Sequence, residues 1–147
     1  MKEMTFEIIL VEDNPADVEM TFSALNDHNL ANKVHVLRDG AEALSFIMNN
    51  VDCRPGYADE HRPKVILLDL KLPKVDGLEV LRRIRSDERT KSVPVVILTS
   101  SNEDRDRIEG YSLGVNSYVV KPVDFAEFAR AVKEIGCYWV LMNKPPY

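Results

Sequence analysis

Four apolar stretches of this 147-residue chain end in side chains that could carry out phosphoryl chemistry. Three carboxylates, a hydroxyl and an ammonium stand directly after or at the ends of these stretches: Glu12, Asp13, Asp69, Thr99 and Lys121. Converging carboxylates repel one another unless a cation lies among them, and oxygen ligands without histidine or cysteine favour Mg²⁺ or Mn²⁺. A divalent ion, a nucleophilic carboxylate, a hydroxyl donor and an ammonium are together typical of a phosphoryl-transfer site.

The apolar stretches themselves are typical of buried strands, and they alternate with helical patterns along the chain. The five predicted strands contain Ile8–Val11, Val34–Leu37, Val65–Leu68, Val95–Leu98 and Tyr118–Val120. This alternation predicts the α/β class, with a doubly wound, flavodoxin-like sheet of five parallel strands and helices on both faces. The carboxyl ends of such strands lie side by side, and ligands bind outside them, so the five polar side chains are expected to converge.

Length and composition predict one domain over residues 1–147, interrupted by an insert loop at about 49–63. The net charge of −5 and the pI near 5.2 argue against a nucleic-acid partner and favour protein partners. No apolar run approaches the ~20 residues of a membrane span, and no leader pattern precedes the first strand. The sequence therefore predicts a cytoplasmic protein that does not enter a membrane.

The cysteines and histidines show no metal-binding or redox spacing. Cys53 and Cys137 are far apart and belong to no C-x-x-C motif, so free thiols in a reducing compartment are expected. His28, His35 and His61 lack the spacing of metal ligands.

Two helical segments have unusual apolar patterns. The segment 102–113 is mostly charged, and its thin apolar face predicts weak docking and mobility. The last helix is predicted over about 124–142, with an apolar stripe at Phe125, Phe128, Val132, Ile135, Trp139 and Met142. Further apolar residues beside this stripe predict a second buried surface, formed with a partner. Alternatively, Gly136 ends the helix and residues 137–142 fold back onto their own domain.

The segment Asp69-Leu-Lys-Leu-Pro73-Lys-Val-Asp76-Gly77 resembles the phosphoacceptor loop of two-component response regulator receiver domains. Glu12-Asp13-Asn14, Thr99-Ser100 and Lys121-Pro122 resemble the partner motifs of that family and occur in the same order. The resemblance covers nearly the whole chain. It implies that Asp69 accepts a phosphoryl group from a sensor histidine kinase and forms an acyl phosphate.

The resemblance also implies roles for the residues around Asp69. Mg²⁺, or Mn²⁺ in its place, would be held by Asp13, Asp69 and the backbone carbonyl of Lys71, with Glu12 reaching it through water. Lys121 would contact a phosphate oxygen, and the family has a cis bond at the equivalent of Lys121-Pro122. Thr99 and Tyr118 would form the switch, in which the hydroxyl moves towards the phosphoryl group and the aromatic ring swings inward.

The insert and the last helix, together with the residues around Tyr118, resemble the response regulators that are paired with bacterial and cyanobacterial phytochrome histidine kinases. This subgroup implies a phytochrome kinase as partner. It also implies a homodimer through helix four, strand five and helix five, in which Tyr138 and Trp139 contribute to the interface.

Two other functions fit a similar fold. A metal-dependent aspartyl phosphatase would also use an aspartate nucleophile, but it needs a second acid two residues later, where this chain has Lys71. A flavodoxin-like cofactor carrier would place a phosphate against the acidic cluster, which is electrostatically unfavourable without a metal. Adding flavin and looking for bound colour distinguishes the carrier from the receiver.

Overall fold

The computed structural model describes residues 6–27, 29–56 and 62–147, which form a parallel sheet covered by helices on both faces. The strands are β1 (Ile8–Val11), β2 (Val34–Leu37), β3 (Val65–Leu68), β4 (Val95–Thr99) and β5 (Ser117–Val120). The helices are α1 (Pro15–Asn26), α2 (Gly40–Asn50), α3 (Gly77–Ser86), α4 (Asp104–Ser112) and α5 (Phe125–Gly136). The strand order β2-β1-β3-β4-β5 confirms the predicted fold class. Within the described ranges, no helix is long and apolar enough to cross a membrane.

Alternate residues of each central strand enter two separate cores, one on each face of the sheet. Ile9 and Ile66 pack into the core that lies under α2 and α3. Ile8 and Leu67 pack into the opposite core, under α1 and α5. This two-residue period is what a strand buried on both faces requires, and it explains why the strands are continuously apolar.

The helices that follow β1, β2, β3 and β5 each begin at a capping side chain. Asn14, Asp39, Asp76 and Asp124 accept hydrogen bonds from the backbone N–H three residues later. Such caps satisfy N–H groups that have no partner within the helix. They start these helices immediately beyond the carboxyl ends of the strands, where the polar side chains lie.

Two glycines hold the loop between β3 and α3 close to the sheet. The Gly77 N–H donates to the Leu70 carbonyl (2.8 Å), and a Cβ on Gly77 would lie 2.3 Å from the carbonyl oxygen of Asp69. A Cβ on Gly40 would lie 1.7 Å from the carbonyl oxygen of Val75. Backbone approaches this close leave no room for a side chain. Both glycines therefore help to fix the backbone that presents Asp69.

Helix α4 is attached to the domain by little apolar contact, as the sequence predicts. Its one buried residue is Gly110, while Ile108 and Tyr111 are exposed. A helix with so little buried apolar surface gains little from docking. Its position depends more on polar contacts than the positions of the other helices do.

The stripe of α5 differs from the expected one. The buried residues are Phe128, Val132, Gly136 and Val140, in steps of four, whereas the predicted stripe members Phe125 and Met142 are 70% exposed. Steps of four exceed the 3.6-residue period of an α-helix. The last of these steps, from Gly136 to Val140, lies where Cys137–Met142 continues α5 as a π-helical turn, which is wider.

Gly136 is the last residue of α5 before the π-helical turn, and the helical path continues through it. A Cβ at this position would lie 2.6 Å from Leu25 Cδ2, so the glycine permits close packing of α5 against α1. Beyond it, Val140 packs into the core of its own domain, while Tyr138 and Leu141 stay exposed. The chain therefore does not fold back at Gly136, and of these three residues only Val140 is buried in its own domain.

The segment after Met142 crosses to the opposite face of the sheet. There the Tyr147 ring packs against the α2/α3 core, and its hydroxyl donates to the Pro63 carbonyl. The Arg62 guanidinium lies over the ring, 5.7 Å from its centroid. This contact ties the end of the chain to the insert, which begins at Val51 because α2 continues to Asn50. Residues 57–61 of the insert, and with them His61, lie outside the described residues, as does His28.

Candidate functional site

The register of the sheet brings the predicted site residues to one edge. Val11 of β1 pairs with Leu68 of β3, so Glu12 and Asp69 follow adjacent strands side by side. Thr99 of β4 pairs with Val120 of β5, and Lys121 follows directly. The predicted convergence of these side chains is therefore a consequence of parallel strands ending at equal height.

The Lys121 ammonium lies among three carboxylates. Its Nζ donates to Glu12 Oε1 (2.7 Å), Asp17 Oδ2 (2.7 Å) and Asp69 Oδ2 (3.2 Å). The Lys121 side chain is only 9% exposed, so these contacts are largely shielded from water. The ammonium thus connects the end of β5 to β1, β3 and the first turn of α1.

The carboxylates also form a group that could hold a metal ion. Oxygen atoms of Glu12, Asp13 and Asp69 lie within 4.8 Å of one another. Asp13 is exposed, whereas Glu12 and Asp69 are buried. The backbone N–H of Lys71 donates to Asp69 Oδ1 (3.3 Å), and the Lys71 side chain is exposed. A donor set made only of oxygen atoms, with more carboxylates than ammonium groups, fits a hard divalent cation.

Burial and the neighbouring charges shift the pKa values of Glu12 and Lys121. Burial, together with the nearby Asp69, raises the pKa of Glu12 to about 7, although its hydrogen bond from Lys121 acts in the opposite direction. Burial by itself would lower the pKa of Lys121, but hydrogen bonds to Asp17 and Glu12 and the charge of Asp69 outweigh it and raise that pKa. Lys121 is therefore a permanent cation at neutral pH.

The raised pKa of Glu12 predicts an unusual dependence of metal-free stability on pH. Between pH 4.5 and about pH 7, the folded protein keeps a proton on Glu12 that the unfolded chain releases. The free energy of unfolding should therefore fall as pH rises through this interval, by about 2 kcal/mol. Asp87, whose pKa is lowered to about 2, titrates below the interval and does not obscure the effect.

Urea unfolding in the presence of EDTA, at intervals between pH 5 and pH 8, measures this dependence. The Glu12→Gln variant is the control, because its side chain cannot titrate and the decline should largely disappear. A metal-free stability that rises through the interval, or an equal decline in the variant, would contradict the assignment.

The hydroxyl of Thr99 and the ring of Tyr118 are linked through one loop residue. Thr99 is fully buried, and its Oγ1 accepts the N–H of Ser101 (3.3 Å). The Tyr118 hydroxyl donates to the carbonyl of the same Ser101 (3.0 Å). The two residues predicted to form the switch, Thr99 and Tyr118, are therefore hydrogen-bonded to the N–H and to the carbonyl of the same residue, Ser101.

One expectation from the resemblance is wrong in this structure. No peptide bond among the described residues is cis, so Lys121-Pro122 is trans. Trans is the lower-energy form even before proline. The Lys121 ammonium reaches the carboxylates from this trans backbone.

The predicted interface residues lie away from the acidic cluster, on the π-helical turn that continues α5. Tyr138 is 47% exposed and Trp139 is partly buried. Their rings meet edge to face, with centroids 5.1 Å apart. Together with Val119 and Ile135 they line a shallow groove beside β5.

A comparison with protein-family models identifies the chain. The model described as the response regulator receiver domain matches residues 8–133, which include all five strands and the whole acidic cluster. The chain belongs to the response regulator receiver family. This assignment to two-component signalling favours neither of the alternative functions, the aspartyl phosphatase or the flavin carrier.

Two known sequences are similar to this receiver over most of their length. The probable methanogenesis regulatory protein FilR2 of Methanothrix harundinacea is 40% identical over 144 residues, covering 98% of this chain and 90% of FilR2. The response regulator Rcp1 of Synechocystis is 37% identical over 133 residues, covering 90% of this chain and 88% of Rcp1.

Solved structures give the same picture. The phosphorylated cyanobacterial phytochrome response regulator RcpA matches with a TM-score of 0.85 and 38% identity, covering 97% of this chain and 99% of RcpA. The Mn²⁺-bound form of Rcp1 matches with a TM-score of 0.83 and 36% identity, covering 95% of this chain and 98% of Rcp1. The receiver therefore has phytochrome-associated homologues.

Two acidic residues of the receiver's site are missing from the sequence-based prediction. Asp17 contacts Lys121 from the first turn of α1, and Asp106 accepts the Ser101 hydroxyl (2.6 Å) from the first turn of α4. The available signal was an acidic residue in the first turn of a helix that starts at the carboxyl edge of the sheet. That signal is weak, because acids are common there for their favourable interaction with the helix dipole.

Proposed function

We propose that this receiver accepts a phosphoryl group on Asp69 from a sensor histidine kinase in a Mg²⁺-dependent reaction. The observation that carries the proposal is the position of Asp69, which is buried beside the Lys121 ammonium and within 4.8 Å of the oxygens of Glu12 and Asp13. A carboxylate in this position contacts one cation, Lys121, and belongs to a group of oxygens that could hold a second. That arrangement favours a carboxylate that reacts with an anionic phosphoryl group.

In the reaction, a carboxylate oxygen of Asp69 forms a bond to phosphorus while the bond from phosphorus to the kinase histidine breaks. The imidazole leaves with the electron pair of the broken bond, and an acyl phosphate remains on Asp69. Lys121 neutralises negative charge from the side of Asp69 Oδ2, and the N–H of Lys71 supports Oδ1. Both contacts hold the carboxylate in one orientation before the reaction begins.

Glu12, Asp13, Asp69 and the backbone carbonyl of Lys71 would hold the metal, Mg²⁺ or Mn²⁺. Held there, such an ion would supply positive charge for the phosphoryl oxygens, in addition to that of Lys121. The Mn²⁺-bound form of Rcp1 supports a divalent ion in a relative of this chain.

The direct test is incubation with a histidine kinase and ATP labelled on its γ-phosphate, followed by mapping of the labelled residue. Because RcpA is a phytochrome response regulator, the first kinase to use is a bacterial or cyanobacterial phytochrome kinase. Label on Asp69 that requires Mg²⁺ is expected. Label on another residue, or transfer that is equally fast in EDTA, would refute the proposal.

Metal binding is expected without any phosphoryl group and should raise the melting temperature. The ion binds the folded cluster, whereas the unfolded chain lacks a preformed site, so at about 100 times Kd the gain is about 2.7 kcal/mol. Asp13→Ala should remove most of this shift because Asp13 supplies an exposed ligand. Asp104→Ala is the matched control, since it deletes an exposed carboxylate on α4. Equal Mg²⁺ binding by the wild type and Asp13→Ala in calorimetry would place the site elsewhere.

Phosphorylation would change the surface formed by α4, β5 and α5. Thr99 offers a hydroxyl hydrogen to a phosphoryl oxygen, and any movement of Thr99 acts on Ser101, to which Tyr118 is also bonded. This route leads from Asp69 to the least firmly packed helix of the domain. The output is therefore a change in how this surface binds a partner or a second copy.

A homodimer through this surface is the output that the exposed aromatic side chains favour. Tyr138 and Leu141 are large apolar side chains left uncovered beside Trp139. Aromatic residues are enriched at protein interfaces and at their energetic centres. The extension of α5 supplies this apolar area without contributing these two side chains to the core.

Tyr138→Ala is expected to weaken dimerisation at least ~10-fold, which corresponds to the ~1.4 kcal/mol effect of a modest interface residue. Light scattering at micromolar concentration measures it, with and without a phosphoryl mimic. Phe125→Ala is the control, because it removes an exposed aromatic side chain from the other end of α5. A wild-type protein that is monomeric in both states would refute the dimer. Trp139→Ala would then change stability alone.

A further inference from the structure

Ser101 lies in the loop between β4 and α4, is buried, and has all of its polar groups bonded. Its N–H donates to Thr99 Oγ1 (3.3 Å), and its carbonyl accepts the Tyr118 hydroxyl (3.0 Å). Its own hydroxyl donates to Asp106 Oδ2 (2.6 Å) and accepts the N–H of Glu103 (3.4 Å). This one residue therefore joins the end of β4, the middle of β5 and the first turn of α4.

Asp106 differs from the other acid in the first turn of α4. The Asp104 side chain is 81% exposed and pairs with Arg107 of its own helix. The Asp106 side chain is 18% exposed, accepts the Ser101 hydroxyl at Oδ2 and has the Arg105 guanidinium 4.0 Å from Oδ1. A carboxylate only accepts hydrogen bonds, so the Ser101 hydroxyl has to donate towards α4. That direction leaves the hydroxyl oxygen free to accept the N–H of Glu103. Asp106 thereby fixes the orientation of Ser101.

The weak packing of α4 gives this contact its importance. Gly110 is the one buried residue of the helix, so apolar contacts do little to fix its first turn. The hydrogen bond from Ser101 to Asp106 connects this turn directly to the loop that contacts Thr99 and Tyr118. It is short and involves a charged acceptor, which places it among the stronger hydrogen bonds.

We propose that Asp106 is a positioning residue of the switch, which couples the state of Asp69 to α4 through the hydroxyl of Ser101. The inference rests on the proposed function of Asp69. A hydroxyl has one hydrogen to donate and two lone pairs, so Thr99 can donate to a phosphoryl oxygen and still accept from Ser101. A shift of Thr99 then moves Ser101, and Ser101 moves the first turn of α4 through Asp106. Without Asp106, Ser101 keeps only the longer contact from the N–H of Glu103 (3.4 Å) and loses its hydrogen bond to a residue inside α4.

Amide hydrogen exchange of residues 102–112, with and without beryllofluoride and Mg²⁺ as the phosphoryl mimic, tests this coupling. In the wild type the mimic should change the exchange rate at least ~5-fold, the lower end of typical coupling between sites. In Asp106→Ala the change should fall below about twofold. Asp106→Asn should retain part of the response, because its carbonyl oxygen still accepts from Ser101 but carries no charge.

Asp104→Ala is the matched control, because it removes one negative charge from the same helical turn without touching Ser101. It should respond to the mimic as the wild type does. Labelling of Asp69 should stay within about twofold in all of these variants, since Asp106 acts after phosphorylation. This readout separates a loss of coupling from a loss of the phosphorylation site.

Ser101→Ala removes the same hydrogen bond, between Ser101 and Asp106, by deleting its donor. The coupling can therefore still be tested if the Asp106 variant does not fold. The double variant should lose no more of the response than either single variant, as expected for two ends of one interaction. If Asp69 is labelled and both Asp106→Ala and Ser101→Ala still respond fully to the mimic, the inference is overturned. Absence of labelling in the wild type would instead overturn the proposed function, and the inference with it.

Discussion

The Asp69→Asn variant is expected to lose kinase-dependent phosphorylation completely while keeping its fold. Asparagine has nearly the shape of aspartate, but its amide is not a nucleophile towards phosphorus. Its oxygen can still accept the contact from Lys121 or Lys71 that the carboxylate accepts now. Removing one charge from a crowded cluster also relieves Glu12, whose raised pKa partly reflects the nearby Asp69. The metal-free variant should therefore be at least as stable as the wild type.

Transfer of labelled phosphate and thermal unfolding measure these two outcomes on the same preparation. Asp76→Asn is the matched control, because asparagine caps a helix as well as aspartate does and Asp76 begins α3 in the same loop. The control should be labelled normally. Hydroxylamine-sensitive label that persists on Asp69→Asn would show that another residue is the acceptor.

Replacing Lys121 by methionine is expected to destabilise the metal-free protein at pH 8 by about 3 kcal/mol, a typical cost of leaving buried charges without their partner. Methionine fills a similar volume, but Glu12, Asp17 and Asp69 lose their shared donor. The unpaired carboxylates should then bind protons or a cation more readily. Acidification to about pH 6 should restore much of the stability, and Mg²⁺ should stabilise this variant more than the wild type.

Urea unfolding at pH 6 and pH 8, with EDTA or Mg²⁺, measures all four conditions. Lys71→Met is the control, since it removes an ammonium from the same edge of the sheet but from an exposed side chain. Its stability should change by less than about 0.5 kcal/mol. A Lys121→Met protein that is as stable as this control at pH 8 without metal would show that the ion pairs contribute little.

The sheet could be predicted from sequence because each strand carries its own signal. A strand buried on both faces must be largely apolar; β1 and β3 are apolar throughout, and β4 is apolar up to Thr99. The polar residue that ends each run is then placed by topology alone, since parallel strands end at one edge. The convergence of Glu12, Asp69 and Lys121 is therefore predictable from the order and character of the strands.

The contacts that the sequence does not predict depend on side-chain direction and helix phase. Asp17 and Asp106 each lie in the first turn of a helix, where an acid has an ordinary reason to occur. Which of them points towards the sheet depends on the exact rotation of the helix. The predicted stripe of α5 is wrong at Met142 for a related reason, because a π-helical turn changes the helical period there and no residue type announces such a turn. It is also wrong at Phe125, the first residue of α5, because the buried stripe begins only at Phe128.

The Tyr147 ring has a consequence for thiol chemistry. It packs on the core that contains Cys53, where burial raises the pKa of the Cys53 thiol to about 11, so at pH 8 roughly one thiol in a thousand is ionised. The reactivity of the Cys53 thiol therefore depends on whether Tyr147 stays packed against this core. In a Cys137→Ser variant, which removes the second, partly exposed thiol, the rate of reaction of Cys53 with a disulfide reagent would show whether an event at Asp69 loosens the opposite end of the sheet.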